Sequence, residues 1–311
     1  MNYYAGIDVS LEQSSVCVRD GDGNIVREAK VASEPEALIA WFANLGLVMS
    51  RIGLEAGPLS QWLYAGMKEA ALPVELLETR HVRTAFKTMP VKTDRKDARG
   101  IAELMRMGWF RPVHCKSMSA QETRAVLTTR KLIENKLRDF EMNLRGVLRG
   151  FGLKVGKTTP TNFADRIKEL VSGHPTLQTI ADSLLAVREV LLREFRGYEK
   201  RVRTTARHSE DARLLMTTTG VGAVISLTYA SAVDDPDRFK KSKQVGAHYG
   251  MTPKRYQSGD TDYTGRISKI GDKSVRTALY QAAHIILTRP VKASALRTWA
   301  LQLAKIGRAH V

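Results

Sequence analysis

The chain has 311 residues, enough for two domains, and its 43% hydrophobic content is ordinary for a globular protein. Its 49 lysines and arginines outnumber its 32 aspartates and glutamates, and the formal net charge of +17 favours a polyanionic partner such as nucleic acid. Cys17 and Cys115 lack the neighbours of a disulfide framework or a zinc site. Because no signal peptide opens the chain and no apolar run approaches membrane-spanning length, we predict a cytoplasmic protein that makes no membrane contact.

Three antiparallel strands are predicted at the start of the chain, at Tyr3–Val9, Ser14–Arg19 and Ile25–Val31. A turn cluster of Gly, Asp and Asn separates the second strand from the third. Ser33 and Glu36 then form a capping-box pattern, which predicts the start of a helix that packs on the sheet.

A fourth strand ending at Glu55, a helix at Leu59–Leu72 and a fifth strand at Val74–Leu77 follow. Two further helices are predicted to carry Arg80–Phe86 and Asp94–Met107. The resulting order β-β-β-α-β-α-β is that of ribonuclease-H-like folds. We therefore predict an α/β domain at residues 1–112, followed by mostly helical sequence.

Four acids in this domain are candidate metal ligands. In a ribonuclease-H-like fold, acids on the first strand, at the end of the fourth strand and on a later helix converge at one edge of the sheet, and Asp8, Glu55, Asp94 and Asp97 occupy those positions. Carboxylates are hard ligands that suit Mg²⁺, and two such ions assist phosphodiester chemistry. Taken singly, Asp8 is as readily a turn acid and Glu55 the start of a loop.

The run Lys-Thr-Asp-Arg-Lys-Asp is the stretch around which this site is predicted to form. If Thr93 caps a helix, Asp94 and Asp97 share one helix face, where two close acids repel each other unless a cation lies between them. A solvated helix end with ion pairs is the alternative interpretation. The basic residues that could neutralise the acids or hold a phosphate backbone are Lys92, Arg95 and Lys96.

The middle of the chain, residues 113–205, is predicted to be a helical connector. A helix over 120–151 and another from about Leu177 carry apolar residues at steps of three and four. This near-heptad spacing predicts an antiparallel hairpin or an oligomer seam.

The last third contains two glycine-rich stretches. Gly220 and Gly222 lie between two predicted helices, where a helix-hairpin-helix would present backbone N–H groups to a phosphate, although a plain helix corner is equally consistent. Further on, Lys254–Gly259 and the run Gly265–Gly271 combine bases, hydroxyls and turn formers, which indicates a phosphate-contacting loop. On composition alone, Ser258 is a turn residue.

Together these motifs resemble the DEDD transposases of the insertion-sequence one-hundred-and-ten (IS110) family. The ordered set that carries the resemblance is Gly-Ile-Asp, Glu-Ala-Gly, Lys-Thr-Asp-Arg-Lys-Asp-Ala, a long basic helical region, Thr-Pro-Lys-Arg-Tyr-Gln-Ser-Gly and Ile-Ser-Lys-Ile-Gly. The resemblance implies a RuvC-like domain that binds Mg²⁺, a coiled-coil connector, and a transposase domain at 206–305 in which Ser258 is the nucleophile. It also implies a homo-oligomer, up to a tetramer, that selects donor and target DNA by pairing with a bridge RNA, in the cytoplasm and nucleoid of a bacterium.

Basic residues near Ser258 are candidates for contacts with nucleic acid. Arg255, Arg266 and Lys269 could stabilise the extra negative charge of a pentacovalent phosphate, and Lys254 could contact the backbone. Two other readings stay open: a metal-dependent nuclease or Holliday-junction resolvase that uses only the acids, and a non-catalytic nucleic-acid-binding protein.

The six C-terminal residues, 306–311, differ from the pattern of the family, whose members usually continue with further helical sequence. A commonly ligated sequencing adapter encodes the same six residues in one reading frame. We therefore interpret residues 306–311 as a foreign tail.

Overall fold

The computed structural model describes residues 2–87, 93–289 and 293–308, with side chains up to residue 305. Lys92 lies outside the described residues, as do residues 309–311 of the suspected tail. The chain divides into two compact units, Met1–Lys116 and Ser117–Val311. The predicted domain boundaries at 112/113 and 205/206 remain predictions.

The first unit is a five-stranded mixed sheet with four helices. Its strands are β1 (Tyr3–Asp8), β2 (Gln13–Arg19), β3 (Ile25–Ala32), β4 (Met49–Glu55) and β5 (Val74–Leu77). Its helices are α1 (Pro35–Asn44), α2 (Ser60–Glu69), α3 (Thr79–Phe86) and α4 (Asp94–Met107).

The strands lie in the order β3-β2-β1-β4-β5, with β1, β2 and β3 antiparallel and β4 parallel to both β1 and β5. This topology and the predicted element order agree, so the ribonuclease-H-like fold is confirmed for the N-terminal region. The hydrophobic core of this unit lies between the sheet and helices α1 and α2. Its residues are almost fully buried, among them Ile7, Val16, Leu38, Leu54 and Leu63.

The predicted capping box at the start of α1 is wrong. Glu34 is the N-cap residue and makes no side-chain capping bond, and Pro35 opens the helix. The Ser33 hydroxyl is engaged elsewhere, because it donates to the Ser10 carbonyl oxygen at 2.7 Å and lies 2.8 Å from the Ser14 hydroxyl. Ser33 therefore fastens the end of β3 to β2 and to the β1–β2 connection, and it does not cap the helix.

The second unit is mostly helical and contains one two-stranded sheet. Its helices are α5 (Met118–Gly150), α6 (Phe163–Val171), α7 (Pro175–His208), α8 (Glu210–Met216), α9 (Ala223–Val233), α10 (Ser242–His248), α11 (Lys273–Thr288) and α12 (Ala295–Arg308). A 3-10 turn at Pro236–Arg238 separates α9 from α10, and strands β6 (Pro253–Ser258) and β7 (Thr261–Ile267) form an antiparallel hairpin.

Helices α5 and α7 form the predicted antiparallel pair. The Arg130 side chain of α5 binds Glu199 of α7, whereas Glu141, further along α5, binds Arg188, which comes earlier in α7. Arg188 is almost fully buried and its Nε lies 2.7 Å from the Glu141 carboxylate, so the charge is compensated inside the pair. Helix α6, which the sequence reading did not anticipate, packs its buried Phe163 and Ile167 against the same pair.

Within the described residues, no helix is both long enough and apolar enough to cross a bilayer.

Candidate functional site

Asp8 and Glu55 lie at the ends of two adjacent parallel strands of the first unit's sheet. Asp8 is the last residue of β1 and Glu55 the last of β4, and these parallel strands are in register through Gly6 with Gly53 and Ile7 with Leu54. Corresponding residues of adjacent parallel strands share a face, so the register brings the next two residues together. Both side chains are half-buried.

Two glycines allow helix α4 to lie directly on these strands. A Cβ atom on Gly6 would lie 2.2 Å from the Ala98 carbonyl oxygen, and one on Gly53 would lie 2.8 Å from Met105 Cγ. The absent side chains therefore determine how closely the helix approaches the sheet. Because side chains alternate along a strand, Asp8 and Glu55, two residues beyond these glycines, face the same side as α4.

The direction of α4 brings its first turn over the two strand acids. The Met105 carbonyl accepts a hydrogen bond from Arg51 Nη1 at 3.0 Å near the start of β4, whereas Ala98 lies over Gly6, further along the strands. The helix therefore runs antiparallel to β1 and β4. Asp97 and Asp94 come next in this direction, towards Asp8 and Glu55.

Thr93 caps this helix as predicted. Its hydroxyl accepts a hydrogen bond from the Lys96 backbone N–H at 3.3 Å, and its carbonyl accepts from the Asp97 N–H at 2.9 Å. Acids in the first turn of a helix are favoured by the exposed N–H groups there. Asp97 is half-buried beside buried Ala98, while Asp94 is exposed, so the two predicted acids occupy different environments.

The four candidate ligands are all carboxylates, which are the donors that a hard divalent cation prefers. Their backbone positions also suit such a site, because they come from two adjacent strand ends and one helix turn. Their side chains, as they lie, do not surround a common point. Among residues 2–87, 93–289 and 293–308, no group of three or more His, Cys, Asp or Glu side chains is arranged to hold a metal ion.

Glu28 of β3 binds two arginines of the same helix. Arg95 donates from Nε and Nη2 to Glu28 Oε2 at 2.8 and 2.5 Å, and Arg99 donates from Nε to Oε1 at 2.6 Å. These hydrogen bonds, first from Arg99 and then from Arg95, lower the pKa of Glu28 to about 2. Arg95, predicted to contact nucleic acid, is thus held by an internal carboxylate, and Lys96 lies exposed beside it.

Ser258 lies in the second unit, exposed at the tip of the β6–β7 hairpin. The predicted phosphate-contacting loop is here a hairpin, and this part of the prediction is wrong. Ser258 pairs with Thr261 across a two-residue turn of Gly259 and Asp260, in which Gly259 has φ +55°. Such a turn joins antiparallel strands closely and needs a residue that tolerates positive φ, and the cross-strand pair of Tyr256 and Tyr263 extends the ladder.

The basic residues predicted around Ser258 differ in their surroundings. Arg255 makes a two-pronged bond to Asp262, from Nε at 3.0 Å and from Nη2 at 2.6 Å, which lowers the pKa of that carboxyl. Lys254, Arg266 and Lys269 are exposed on the hairpin or at its base. The hairpin therefore presents more positive than negative charge to solvent.

The base of the hairpin is fixed by close backbone packing. A Cβ on Gly250 would lie 2.1 Å from the Ile270 carbonyl oxygen, and Lys269 takes a left-handed conformation with φ +56°. Arg276 of α11 holds the same loop, because its Nη1 donates to the carbonyl oxygens of Tyr249, Ile270 and Gly271 at 3.0 to 3.1 Å.

The glycine turn between α8 and α9 packs inside the second unit. Gly220 has φ +86°, and a Cβ there would lie 2.8 Å from the Ala282 carbonyl oxygen of α11. Gly222 has open space on the corresponding side. Packing against α11 accounts for Gly220, while phosphate binding by this turn stays a prediction.

Sequence reasoning missed several residues that hold the elements of the candidate site in place. Glu28 fixes two arginines of α4, Arg276 fixes the base of the hairpin, and Tyr256 and Tyr263 form its aromatic pair. The hairpin had a readable signal, since two tyrosines flank Ser-Gly-Asp-Thr at equal distances. Glu28 and Arg276 had none, because their partners are distant in sequence or are backbone carbonyls.

The class of protein defined by the fold is a ribonuclease-H-like unit, with acids at the ends of strands β1 and β4, joined to a mostly helical unit. A family model of DEDD transposases of the IS110 type, described as "Transposase", matches residues 5–152, and one described as "Transposase IS116/IS110/IS902 family" matches residues 212–298. The chain belongs to the IS110 family of DEDD transposases, and its activity is that of a DNA transposase.

Transposases of two insertion sequences match most of this chain at low sequence identity. The transposase for insertion sequence element IS1111A of Coxiella burnetii is 25% identical over 91% of this chain and 77% of its own length. The transposase for insertion sequence element IS1328 of Yersinia enterocolitica is 24% identical over 70% of this chain and 64% of its own. Thermus thermophilus RuvC in complex with a Holliday junction substrate aligns with a TM-score of 0.29 and 16% identity, covering 36% of this chain and all of RuvC.

Proposed function

We propose that this transposase cuts and rejoins DNA through a covalent bond to Ser258, with Asp8, Glu55, Asp94 and Asp97 as the ligands of two Mg²⁺ ions. The observation that carries the proposal is the parallel register of β1 and β4, which sets Asp8 beside Glu55 under the first turn of α4. The exposed position of Ser258 supports the second half, because a nucleophile must reach a bulky phosphodiester.

The covalent step follows from the chemistry of an alcohol. The Ser258 oxygen forms a bond to phosphorus while the bond between phosphorus and one deoxyribose oxygen breaks. The serine proton passes to water and the released deoxyribose oxygen takes up a proton. A DNA hydroxyl later attacks the same phosphorus and frees Ser258, so no phosphodiester bond is lost overall.

The four acids have a separate role. Bound divalent ions would supply Lewis-acid stabilisation of the attacking and leaving oxygens. Asp8 and Glu55 are held by the sheet, and Asp94 and Asp97 by the capped helix α4, so all four proposed ligands come from strands or a helix.

Cations near the proposed nucleophile would receive the phosphate. Lys254, Arg266 and Lys269 are exposed around the hairpin, and a guanidinium or ammonium group there offsets the charge that develops on a pentacovalent phosphorus. Arg255 belongs to this set once its bond to Asp262 is exchanged for one to phosphate. In the first unit, Lys96 and Arg95 would contact the DNA backbone beside the acids, together with Lys92.

A bridge RNA that pairs with donor and target DNA, and assembly of the chain into dimers and tetramers, complete the proposal. The net charge of +17 supports a second polyanion besides DNA, because nearly all of the surplus is concentrated in the second unit, where residues 117–311 hold 34 of the 49 lysines and arginines and only 18 of the 32 acids. Sequencing RNA that co-purifies with the protein tests this part. Recovery of RNA with no match to the DNA flanking the gene would contradict it.

The serine intermediate is tested by trapping a DNA adduct. The full chain is incubated with Mg²⁺ and supercoiled DNA that carries the ends of its own element, and protein-linked DNA is measured after denaturation. We expect an adduct that Ser258→Ala abolishes and that Thr261→Ala, across the same turn, leaves in place.

Two outcomes of this experiment separate the proposal from its rivals. Cleavage that survives Ser258→Ala would indicate a nuclease that depends on the acids alone. Asp97→Asn should remove both cleavage and adduct while DNA binding persists, and adduct formation by this variant at the wild-type rate would refute the role given to the acids.

A further inference from the structure

Two exposed tyrosines form a stacked pair in the middle of the β6–β7 hairpin. Tyr256 and Tyr263 are directly opposite each other across the ladder. Their ring centroids are 5.4 Å apart with an angle of 28° between the planes. The side chains are 53% and 59% exposed, so more than half of each remains open to solvent.

The tyrosine pair shares a face of the hairpin with Ser258. Residues two apart on a strand point to the same side, which puts Ser258 beside Tyr256 at a distance of about 7 Å along the strand. Thr261 and Tyr263 oppose these residues on β7 in the same register. An aromatic surface and the proposed nucleophile therefore form one continuous face.

The other face of the hairpin is closed by charge pairing. Arg255 and Asp262 belong to that side and bind each other through two hydrogen bonds. Lys254, in contrast, alternates onto the tyrosine face, and Arg266 and Lys269 are exposed near the hairpin's base. The face that carries the tyrosines therefore combines solvent-exposed aromatic rings with a nearby lysine.

Stabilising the hairpin is the simplest role for such a pair, and cross-strand aromatics contribute roughly 0.2–1 kcal/mol to a ladder. That role does not account for the exposure of the rings, because burial is the main source of aromatic stabilisation and less than half of each side chain is buried. Exposed aromatic rings beside cations are the usual means of holding unpaired bases, since every base has a face that can stack.

We propose that Tyr256 and Tyr263 form a stacking platform for an unpaired base of the DNA strand that is cut. A base held on the rings leaves the adjoining phosphate beside Ser258, while Lys254 neutralises the backbone. The choice of strand rests on the proposed function, whereas the stacking itself does not require that Ser258 react.

Photochemical crosslinking gives a local test of this contact. The full chain carrying Ser258→Ala, which removes the chemistry, is mixed with a single-stranded oligodeoxynucleotide that contains 5-iododeoxyuridine and is irradiated with long-wave ultraviolet light. We expect crosslinks that peptide mass spectrometry maps to Tyr256 or Tyr263. Crosslinks confined to other regions of the chain would overturn the proposal.

Substitutions separate stacking from hairpin stability. A Tyr256→Val and Tyr263→Val double variant keeps residues that favour strands and removes the rings, and we expect its affinity for the oligonucleotide to fall about 5- to 100-fold. The double change to Phe should bind as the parent does, because stacking uses the ring and not the hydroxyl. Equal binding by the Val and parent proteins, or equal loss in the Phe and Val proteins, would refute the platform.

Tyr280 of α11 is the matched control, because it is 71% exposed and also stacks on a neighbour, His284. Tyr280→Val should leave both crosslinks and affinity unchanged, and a loss as large as that of the hairpin variant would refute a specific platform. Stronger crosslinking of the hairpin to an iodouridine oligoribonucleotide would assign the platform to RNA and overturn the DNA assignment.

These results are independent of the serine adduct. Crosslinking at the hairpin without any adduct from the wild-type chain would leave the platform standing and reject Ser258 as nucleophile. An adduct without crosslinking would reject the platform alone.

Discussion

Replacing Glu28 by Gln should destabilise the first unit and loosen the turn of α4 that carries Asp94 and Asp97. Glu28 is the shared acceptor of Arg95 and Arg99, and its side chain is only 14% exposed. The substitution keeps the size of the side chain but removes the charge, and the two arginines then lose a charge-assisted partner.

The size of the effect follows from the pKa of Glu28. One pKa unit corresponds to about 1.4 kcal/mol, so the fall from 4.5 to about 2 sets an upper bound of about 3 kcal/mol on the stabilisation. Arg95 is 69% exposed and solvent screens its share, so we expect Glu28→Gln to lower the free energy of unfolding by about 1–2 kcal/mol at pH 7.

The sign of the pH dependence is fixed by the lowered pKa. A carboxyl whose pKa is lower in the folded state stabilises the fold at pH values above 4.5, and this stabilisation is lost as the pH falls towards about 2. The difference between wild type and Glu28→Gln should therefore shrink at pH 3 to less than half of its value at pH 7.

Urea unfolding followed by tryptophan fluorescence measures this difference. Trp41, Trp62 and Trp109 lie in the first unit, so its unfolding dominates the signal. Glu12→Gln, in an exposed position before β2, is the matched control and should change stability by less than about 0.5 kcal/mol. A Glu28→Gln difference that is absent at pH 7, or equal at pH 7 and pH 3, would refute the reasoning.

Three further predictions concern backbone packing and caps. Gly6→Ala should destabilise the first unit by about 2–3 kcal/mol in the same assay, because its methyl group would meet the Ala98 carbonyl oxygen, whereas Gly57→Ala, whose nearest neighbour is 4.0 Å away, should be nearly neutral. Thr93→Ala should cost about 1 kcal/mol and speed amide hydrogen exchange in the first turn of α4, and Thr93→Ser should restore both; unchanged exchange would contradict the cap. Arg276→Ala should speed trypsin cleavage at residues 266–269, because three carbonyl oxygens lose their donor, and cleavage at the wild-type rate would exclude a clamp.

Helix α4 shows what the sequence could predict. Its predicted bounds and its observed bounds agree, because both ends carry local signals: Thr93 caps the start, and Gly108 ends the helix in the left-handed conformation with φ +65°. The ribonuclease-H-like order of elements was also readable, because each strand of the first unit is bounded by turn residues and the helices have an apolar stripe.

The hairpin that carries Ser258 has a turn signal in its sequence, but its strands lack the usual strand signal. A strand is normally recognised by alternation of apolar and polar residues, which requires one buried face. Both faces of β6 are exposed and it contains Lys254, Arg255 and Gln257, so the alternation is absent. The tight turn and the tyrosine pair hold the strands together instead.

The geometry of the acid site depends on contacts between distant parts of the chain. Gly6 and Gly53 read only as strand residues, and their role appears when α4 lies on them. The ion pair between Glu28 and Arg95 joins residues 67 positions apart, which periodicity and spacing do not reveal. The sequence could therefore predict which strand ends and which helix turn carry the candidate acids, but not how closely the helix approaches the strands.

The close packing of Gly6 against Ala98 and Ala102 also means that strand β1 is synthesised well before the helix that covers it. The β1–β2–β3 meander is local and can form while the ribosome is still translating, whereas α4 cannot dock until the chain has grown past residue 107. Until then, Asp8 is on a nascent strand without the helix that completes its surroundings. A half-made chain therefore has the strand that carries Asp8 but not yet the helix that carries Asp94 and Asp97.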